Sequence, residues 1–494
     1  MPVKGMKPEK VELDKEEATD RTKQVEHIRI PVKGKEDEPV EAFEASESTI
    51  KLLTDPALLH KIGLKLEKQG YIGEWQNKLS TYLAGTTKDY HRNERICIIS
   101  KGESGGGKST ITITILEKYF SDCVKSFHRM TAHAPDYWQK EIGTLDGKIL
   151  LIKQMEGTQD IQYTIQIMVD TTSGGLKILT TSGTPGNMKT EEVALDGIPV
   201  LCSTVIVQQM DSQTIRRFFT TYPDDSPEQT KRILIHKAKL RANPSYRRMV
   251  ETTDKDLVEI PKRLKNESAK YGVSIPFAEV IADIFPTKNL LARSDYDKFC
   301  NFIVAITHLH YKQRLSYKTE EGTLELISSP IDYYYAWKIV ETSLPKRLAG
   351  ITDERSHKIL TILQKKCVMG NHLLTEDIMK IANTEGKSYA KHTIWETLDD
   401  LKDKGFVKSD KSPEDNRKLL WSPTNISYNP FGIKIPDEKI ENVYIQFIID
   451  NIGNPLSPEN SELLVKSMRA FDLVDGNELT ANIVSENTRN MLKI

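Results

Sequence analysis

Apolar positions recur along the chain with different periods, and the changes of period divide it. Residues 1–48 mix Lys, Glu and Asp with few large apolar groups, too little to offset the entropy of ordering, and read as a disordered charged tail. Order is expected from about Thr49. Asp55-Pro56 suits the start of an amphipathic helix that Gly70 would stop, and a second helix runs from about Trp75 to Leu83. Ile96-Cys97-Ile98-Ile99, Lys148–Ile152 and Ile198–Cys202 are short apolar runs, the pattern of strands buried on both faces. After the first of them, Thr110–Leu116 can open a helix. Leu176–Thr181 and Met188–Leu195 flank the turn-rich Ser182-Gly183-Thr184-Pro185-Gly186-Asn187 and predict a β-hairpin with a long tip.

Residues 240–345 read as mainly helical, with Phe299, Phe302, Ile303 and Ile306 on a core-facing stripe, and a boundary falls between Pro345 and Asp353. A small unit follows. Its helices are expected over about His357–Val368, Glu376–Ala382 capped by Thr375, and Tyr389–Lys404 capped by Ser388. Two short extended segments, Phe406–Lys408 and Leu419–Trp421, complete the pattern of a winged helix. Asn425–Ile494 is mixed. The expected organisation is a tail (1–48), an α/β core with N-terminal helices (49–240), a helical lid (241–350), a winged-helix domain (355–424) and a C-terminal extension (425–494).

The chemistry centres on the link between the first strand and its helix. Gly102-Glu103-Ser104-Gly105-Gly106-Gly107-Lys108-Ser109 fits G-x-x-x-x-G-K-[ST] at every fixed position. Glycines let backbone N–H groups approach phosphate oxygens with no Cβ between them, and the helix dipole favours the anion there. Lys108 would reach the β and γ phosphates and the Ser109 hydroxyl would ligate Mg²⁺, with Thr110 next in the turn. The alternative is a Gly-rich turn with an incidental Lys-Ser, and the flanking strand-to-helix pattern argues against it.

The second strand ends in Lys153-Gln154, and its nearest carboxylates are Glu156 and Asp160. A Gln can hydrogen-bond water but cannot take its proton. The third ends at Ser203-Thr204, either facing a γ phosphate or simply polar at a strand end. Arg216 and Arg217 can form an arginine finger onto a neighbouring subunit's phosphate or an ordinary salt bridge. In the small unit, Lys387, Lys391 and His392, with Lys408, Lys411, Arg417 and Lys418 on the wing, can face DNA; the alternative is a protein-docking module with a solvated basic face.

Composition narrows this little. The 494 residues carry 69 Lys and Arg against 70 Asp and Glu, a net charge of −1, so the whole chain is no basic nucleic-acid coat and contacts with DNA must be local. Five scattered cysteines lack metal-ligand or disulfide spacing. The start lacks a signal-peptide core and no run of about 18 apolar residues occurs. A cytoplasmic protein with no membrane contact is expected.

The chain from about Leu53 to Leu344 resembles the P-loop ATPase domain of primase/helicase-type replication proteins of phages, plasmids and integrated elements. These are AAA+ proteins distantly similar to MCM helicases. The resemblance lies in Leu53-Thr54-Asp55-Pro56, Gly70-Tyr71-Ile72-Gly73-Glu74, the phosphate loop, Glu156-Gly157, Asp225–Thr230, Ile275-Pro276-Phe277-Ala278 and Arg293–Phe299. It implies a hexameric ring that binds ATP and Mg²⁺ through Lys108 and Ser109, with Glu156 as the acid of the hydrolysis strand and Arg216 or Arg217 as the finger. It also implies that the hairpin tip from Thr181 to Lys189, with Lys177 and Lys189 as cations, faces DNA in a central channel. Lys153-Gln154 replaces the family's acidic pair, and no primase part precedes the ATPase, so a separate primase is an expected partner. The expected function is an ATP-dependent DNA helicase or translocase acting on single- or double-stranded DNA. The alternative is an ATP-switched DNA-binding or regulatory protein with weak or no hydrolysis. A small-molecule kinase would share the phosphate loop but predicts neither the winged helix nor the arginines.

Overall fold

A computed structural model describes residues 45–101, 108–128, 130–131, 134, 143–153, 159–170, 175–184, 187–205, 212–224, 226–287, 290–344, 354–367, 371–384, 388–413, 415, 417–424, 438–453 and 456–479. Five strands make its central sheet: β1 (Ile98–Lys101), β2 (Val124–Phe127), β3 (Ile149–Ile152), β6 (Val200–Val205) and β7 (Phe219–Thr221). All neighbours are parallel, in the order β2-β3-β6-β1-β7. Successive residues of a strand face opposite sides. Thus Ile98, Ile149, Leu151 and Cys202 enter one core while Ile99, Leu150, Ile152 and Leu201 enter another. The apolar runs therefore form an α/β sheet covered on both faces.

The first core is the larger. Helices 75–86 and 108–119 pack into it, as do helices 255–263, 291–309 and 330–340. Chain from beyond residue 438 joins them, through Ile440, Tyr444 and Ile448 of helix Glu438–Asn451 and Leu464 of helix Pro458–Ser467. A mixed sequence with no clear period thus completes the main core. Residues 354–424 have a core of their own around Trp421, Ile394, Leu398 and Leu401. There, helices Glu354–Lys366, Thr375–Thr384 and Lys391–Asp403 pack with an antiparallel sheet of β11 (Leu373–Leu374), β13 (Leu419–Pro423) and β12 (Val407–Lys411).

Several local expectations are corrected. The first helix, Glu47–Leu53, takes in the last two residues of the expected tail, because Ser46, Ser48 and Thr49 hydroxyls bond the carboxylates of Asp256 and Glu259. Asp55 does not cap a helix starting at Pro56; its Oδ1 accepts the Ala57 N–H in a turn, and the helix is Leu58–Lys68. The third helix of the small unit is not capped by Ser388. Asn383 instead holds both backbone groups of Tyr389, and the helix opens at Lys391 after Ala390. The Thr375 hydroxyl accepts the Trp421 indole N–H at 2.9 Å. Residues 240–345 also hold a sheet, β8 (Gly272–Ser274) with β10 (Leu324–Ile327) and β9 (Ser316–Lys318). Its strands are three or four residues long and β8 pairs across some fifty residues, so no local period announces it.

Candidate functional site

β1 lies between β6 and β7, and the chain leaves its carboxyl end for helix Lys108–Tyr119. From there it crosses to β2 at the far edge, while the strand on the other side of β1 is β7. This reversal of strand order leaves a crevice beyond the carboxyl ends of the strands, where open α/β sheets bind ligands. Gly102–Gly107 lie outside the described residues, as do the side chains of Lys108, Ser109 and Thr110. The backbone at Lys108–Thr110 is the first turn of that helix, so its free N–H groups open at the end of a buried strand. This arrangement fits a phosphate group.

The carboxyl end of β3, beside β6, is built differently from a metal-binding end. Lys153 stands there, and its ammonium pairs with Glu117 Oε1 at 2.8 Å, on the helix that follows the phosphate loop. Ser126 donates to the same oxygen at 2.7 Å. Partial burial alone would raise the Glu117 carboxyl, but the bonds from Lys153 and Ser126 hold it below its ordinary value. Ser203 and Thr204 are not aimed at a phosphate: the Ser203 hydroxyl donates to the Ile152 carbonyl at 2.7 Å and the Thr204 hydroxyl to the Lys153 carbonyl. Both hydroxyls brace β3 against β6. Glu156 lies outside the described residues. Ser109 could supply Mg²⁺ with a hydroxyl, but Lys153 brings an ammonium where a second, anionic ligand would be useful.

The two candidate arginines separate. Helix Gln159–Met168 follows β3, and helix Ser212–Arg216 docks on it through Gln166 Nε2 to Thr214 Oγ1 at 2.7 Å. Arg217 pairs with Asp170 at 2.9 Å, the ordinary salt bridge. The Arg216 carbonyl accepts from Lys298 Nζ, while its guanidinium is exposed and has no partner among the described residues.

Between β3 and β6 the chain projects a ribbon. β4 (Gly175–Thr184) and β5 (Asn187–Asp196) pair antiparallel in ten rungs and with no other strand among the described residues. Ten residues extend for about 33 Å. Its root is buried at Leu195, its middle carries an exposed Lys177, and Leu179 is 74% exposed. Pro185 and Gly186 at the tip, and the side chain of Lys189, lie outside the described residues.

In the small unit, Lys411 and Arg417 are exposed, but Lys391 pairs with Glu376 at 2.7 Å. The third helix carries Glu396, Asp399, Asp400 and Asp403 against Lys391 and Lys402, with Trp395 exposed among them. Lys387 lies outside the described residues.

One residue at the sheet edge was missed as chemistry. Glu74 is the one non-glycine residue with positive φ (46°) among the described residues. Burial pushes its carboxyl up to about 7, although Asn77 Nδ2 donates to it at 2.6 Å. Asn77 also donates to the Tyr222 carbonyl, just past β7, so this carboxyl sits on the side of the sheet that borders β1. The Gly-x-x-Gly-Glu pattern marks a turn, but nothing local reveals the burial. Since folding raises this pKa, the unfolded chain ionises first, and stability falls as pH rises from about 4.5 to about 7. Glu74→Gln should therefore melt above wild type at pH 8, with an advantage that shrinks toward pH 5. A pH-independent difference would refute the assignment.

Residues 45–264 match a family model described as the MTBMA_p00010 P-loop domain. No curated protein matches the chain. Among solved structures it is similar to a full-length MCM homolog from Methanopyrus kandleri, at 10% identity and a TM-score of 0.38, over 62% of this chain and 64% of that one. The chain thus spans under two thirds of that protein's length. Residues 45–264 thus combine the parallel sheet, the fitted motif and the match to a P-loop domain model, and P-loop domains bind nucleotides. No helix among the described residues is long and apolar enough to cross a membrane.

Proposed function

We propose that this P-loop NTPase is an ATP-driven motor of the helicase type, working on DNA as a ring of identical subunits in the replication system of a mobile element. The supporting observation is the continuity of one segment. Residues 149–216 run from β3 through the projecting ribbon and β6 to the helix that ends in Arg216, so the ribbon is rooted between β3 and β6, and β6 lies directly beside the strand that leads into the phosphate loop. Lys108 would bind the β and γ phosphates, Ser109 would hold Mg²⁺, and Glu156 would position water. Bound Mg²⁺ neutralises charge on the phosphates as the γ group transfers. Arg216, which has no partner among the described residues, is the finger offered to the next subunit, and a primase on a separate chain would complete the system.

In this reading residues 49–240 are the ATPase core, 241–350 its lid, 355–424 a winged helix and 425–494 an extension, whose helices 438–451 and 458–467 pack on the core. Lys411 and Arg417 are its DNA contacts, whereas Lys391 must first release Glu376. Lys177 and Lys189 line the ribbon.

A second reading has its own support. Lys153, held by Glu117, denies β3 a metal-binding acid at that position, which suits a protein that binds ATP as a switch and hydrolyses it slowly. ATP turnover measured with and without single-stranded DNA separates the two: stimulated turnover supports the motor, and tight binding without turnover supports the switch. Arg216→Ala should lower turnover by about 1,000-fold or more and leave ATP affinity intact. Arg217→Ala loses an exposed ion pair and should cost less than about tenfold. Mixing Arg216→Ala with Lys108→Ala subunits should restore some activity, and failure to do so would remove the shared site.

A further inference from the structure

Helix Pro227–Ala242 and helix Pro244–Glu251 form a two-helix arm that the proposed function does not use. Each begins with a proline in its first turn and a side-chain cap, Ser226 and Asn243, so the arm is a built element. Its root is fixed: the buried Gln229 donates to the Ile72 carbonyl at 2.6 Å and Arg232 pairs with Glu67 at 3.3 Å. Gln69 and Lys118 hold the second helix by the carbonyls of Met249 and Val250. His236 and Tyr246 clamp the helices together at 3.0 Å.

Beyond that root the arm is nearly all surface. Its 25 residues contain seven Lys and Arg against Glu228 and Glu251, in a chain whose net charge is −1. Lys231, Lys237, Lys239, Arg241, Arg247 and Arg248 are exposed and have no carboxylate partner among the described residues. The cations of the first helix spread over more than half of its circumference, wider than the single charged face that suits a membrane surface. Its one aromatic, Tyr246, is engaged by His236, so the arm offers no platform for stacking unpaired bases. What it offers is a rod of about 24 Å that carries exposed positive charge along its length, which suits a stiff polyanion such as a duplex.

We propose that residues 227–251 are a sequence-independent binding arm for the phosphate backbone of duplex DNA, separate from the ribbon and from residues 354–424. This deepens the reading that the chain acts on DNA and rests on it. The arm would hold the duplex outside the nucleotide site through phosphates alone.

The test is binding of a fluorescent 30-base-pair duplex to the full chain across a salt series. The triple variant Lys237→Ala, Arg241→Ala, Arg248→Ala should bind at least about tenfold more weakly at 0.1 M salt. Its slope of log affinity against log salt should be shallower by roughly 2–3, about 0.9 for each phosphate that is no longer neutralised. ATP affinity should not change, which checks the fold, and the charge-keeping Lys237→Arg, Arg241→Lys, Arg248→Lys variant should bind as wild type. Equal affinity and slope in the alanine variant would overturn the arm while leaving the DNA reading in place. No binding by wild type would overturn both.

Discussion

Lys108→Ala should abolish measurable ATP turnover and weaken ATP binding by roughly one to two orders of magnitude, with the protein still folded. The buried β1 ends at Lys101 and helix Lys108–Tyr119 packs into the main core, so the elements that flank the motif do not depend on the Lys108 side chain. A charge-assisted hydrogen bond to phosphate contributes about 1.5–3 kcal/mol to binding, which sets the expected loss of affinity. Charge on the γ phosphate's oxygens must be stabilised as it transfers, and losing a preorganised donor at such a centre costs about 100- to 1,000-fold in rate. Lys153 does not substitute, because its ammonium is committed to Glu117. Titration with a fluorescent ATP analogue and a phosphate-release assay read the two effects, and an unchanged melting curve shows that the core is intact. Wild-type affinity in this variant would remove the nucleotide site from the loop, whatever the fate of the helicase reading.

How much of this could be read from residues alone depended on the range of the forces involved. β1, β3 and β6 were legible because burial on both faces demands uninterrupted apolar runs such as Ile149–Ile152. The ribbon was legible because its two strands lie next to each other in sequence. Helices 438–451 and 458–467 were not, since their apolar faces make sense only against a core laid down hundreds of residues earlier. The same holds for the arginines. The sequence placed Arg216 beside Arg217, and only the position of Asp170, on an element 47 residues away, tells which is occupied. Lys153 announced a missing acid, but its engagement with Glu117 depends on how the phosphate-loop helix packs beside β2 and β3. Glu74 looked like a turn residue and is a partly buried carboxyl whose pKa burial raises.

Asp332→Ala should destabilise the main core by roughly 3–5 kcal/mol, the largest stability effect expected of a single substitution here. Arg314 and Asp332 are paired with both side chains almost wholly inaccessible. Asp332 accepts from Arg314 Nε at 2.7 Å, from the Ser329 backbone N–H at 2.9 Å and from Thr307 at 3.1 Å, the Ser329 bond being half of a capping box that starts helix Pro330–Val340. Removing it strands a buried guanidinium that cannot shed its proton and uncaps a helix at once. Arg314→Met alone leaves a carboxylate that still has the Ser329 and Thr307 donors, so it should cost less. The double change Arg314→Met, Asp332→Leu removes both charges and should recover a good part of the loss, as buried pairs replaced by apolar groups often do. Unfolding free energies of wild type, Arg314→Met, Asp332→Leu and the Arg314→Met, Asp332→Leu double variant form a double-mutant cycle whose coupling measures the pair. Asp332, bonded to Thr307 and to Arg314, ties helix 330–340 to helix 291–309 and the segment after it, within the core that also holds helix 108–119, so saturating ATP should add the same stabilising free energy to wild type and to the Asp332→Ala protein if core and nucleotide site unfold together. A core transition that does not shift with ATP would mean that the two regions unfold independently.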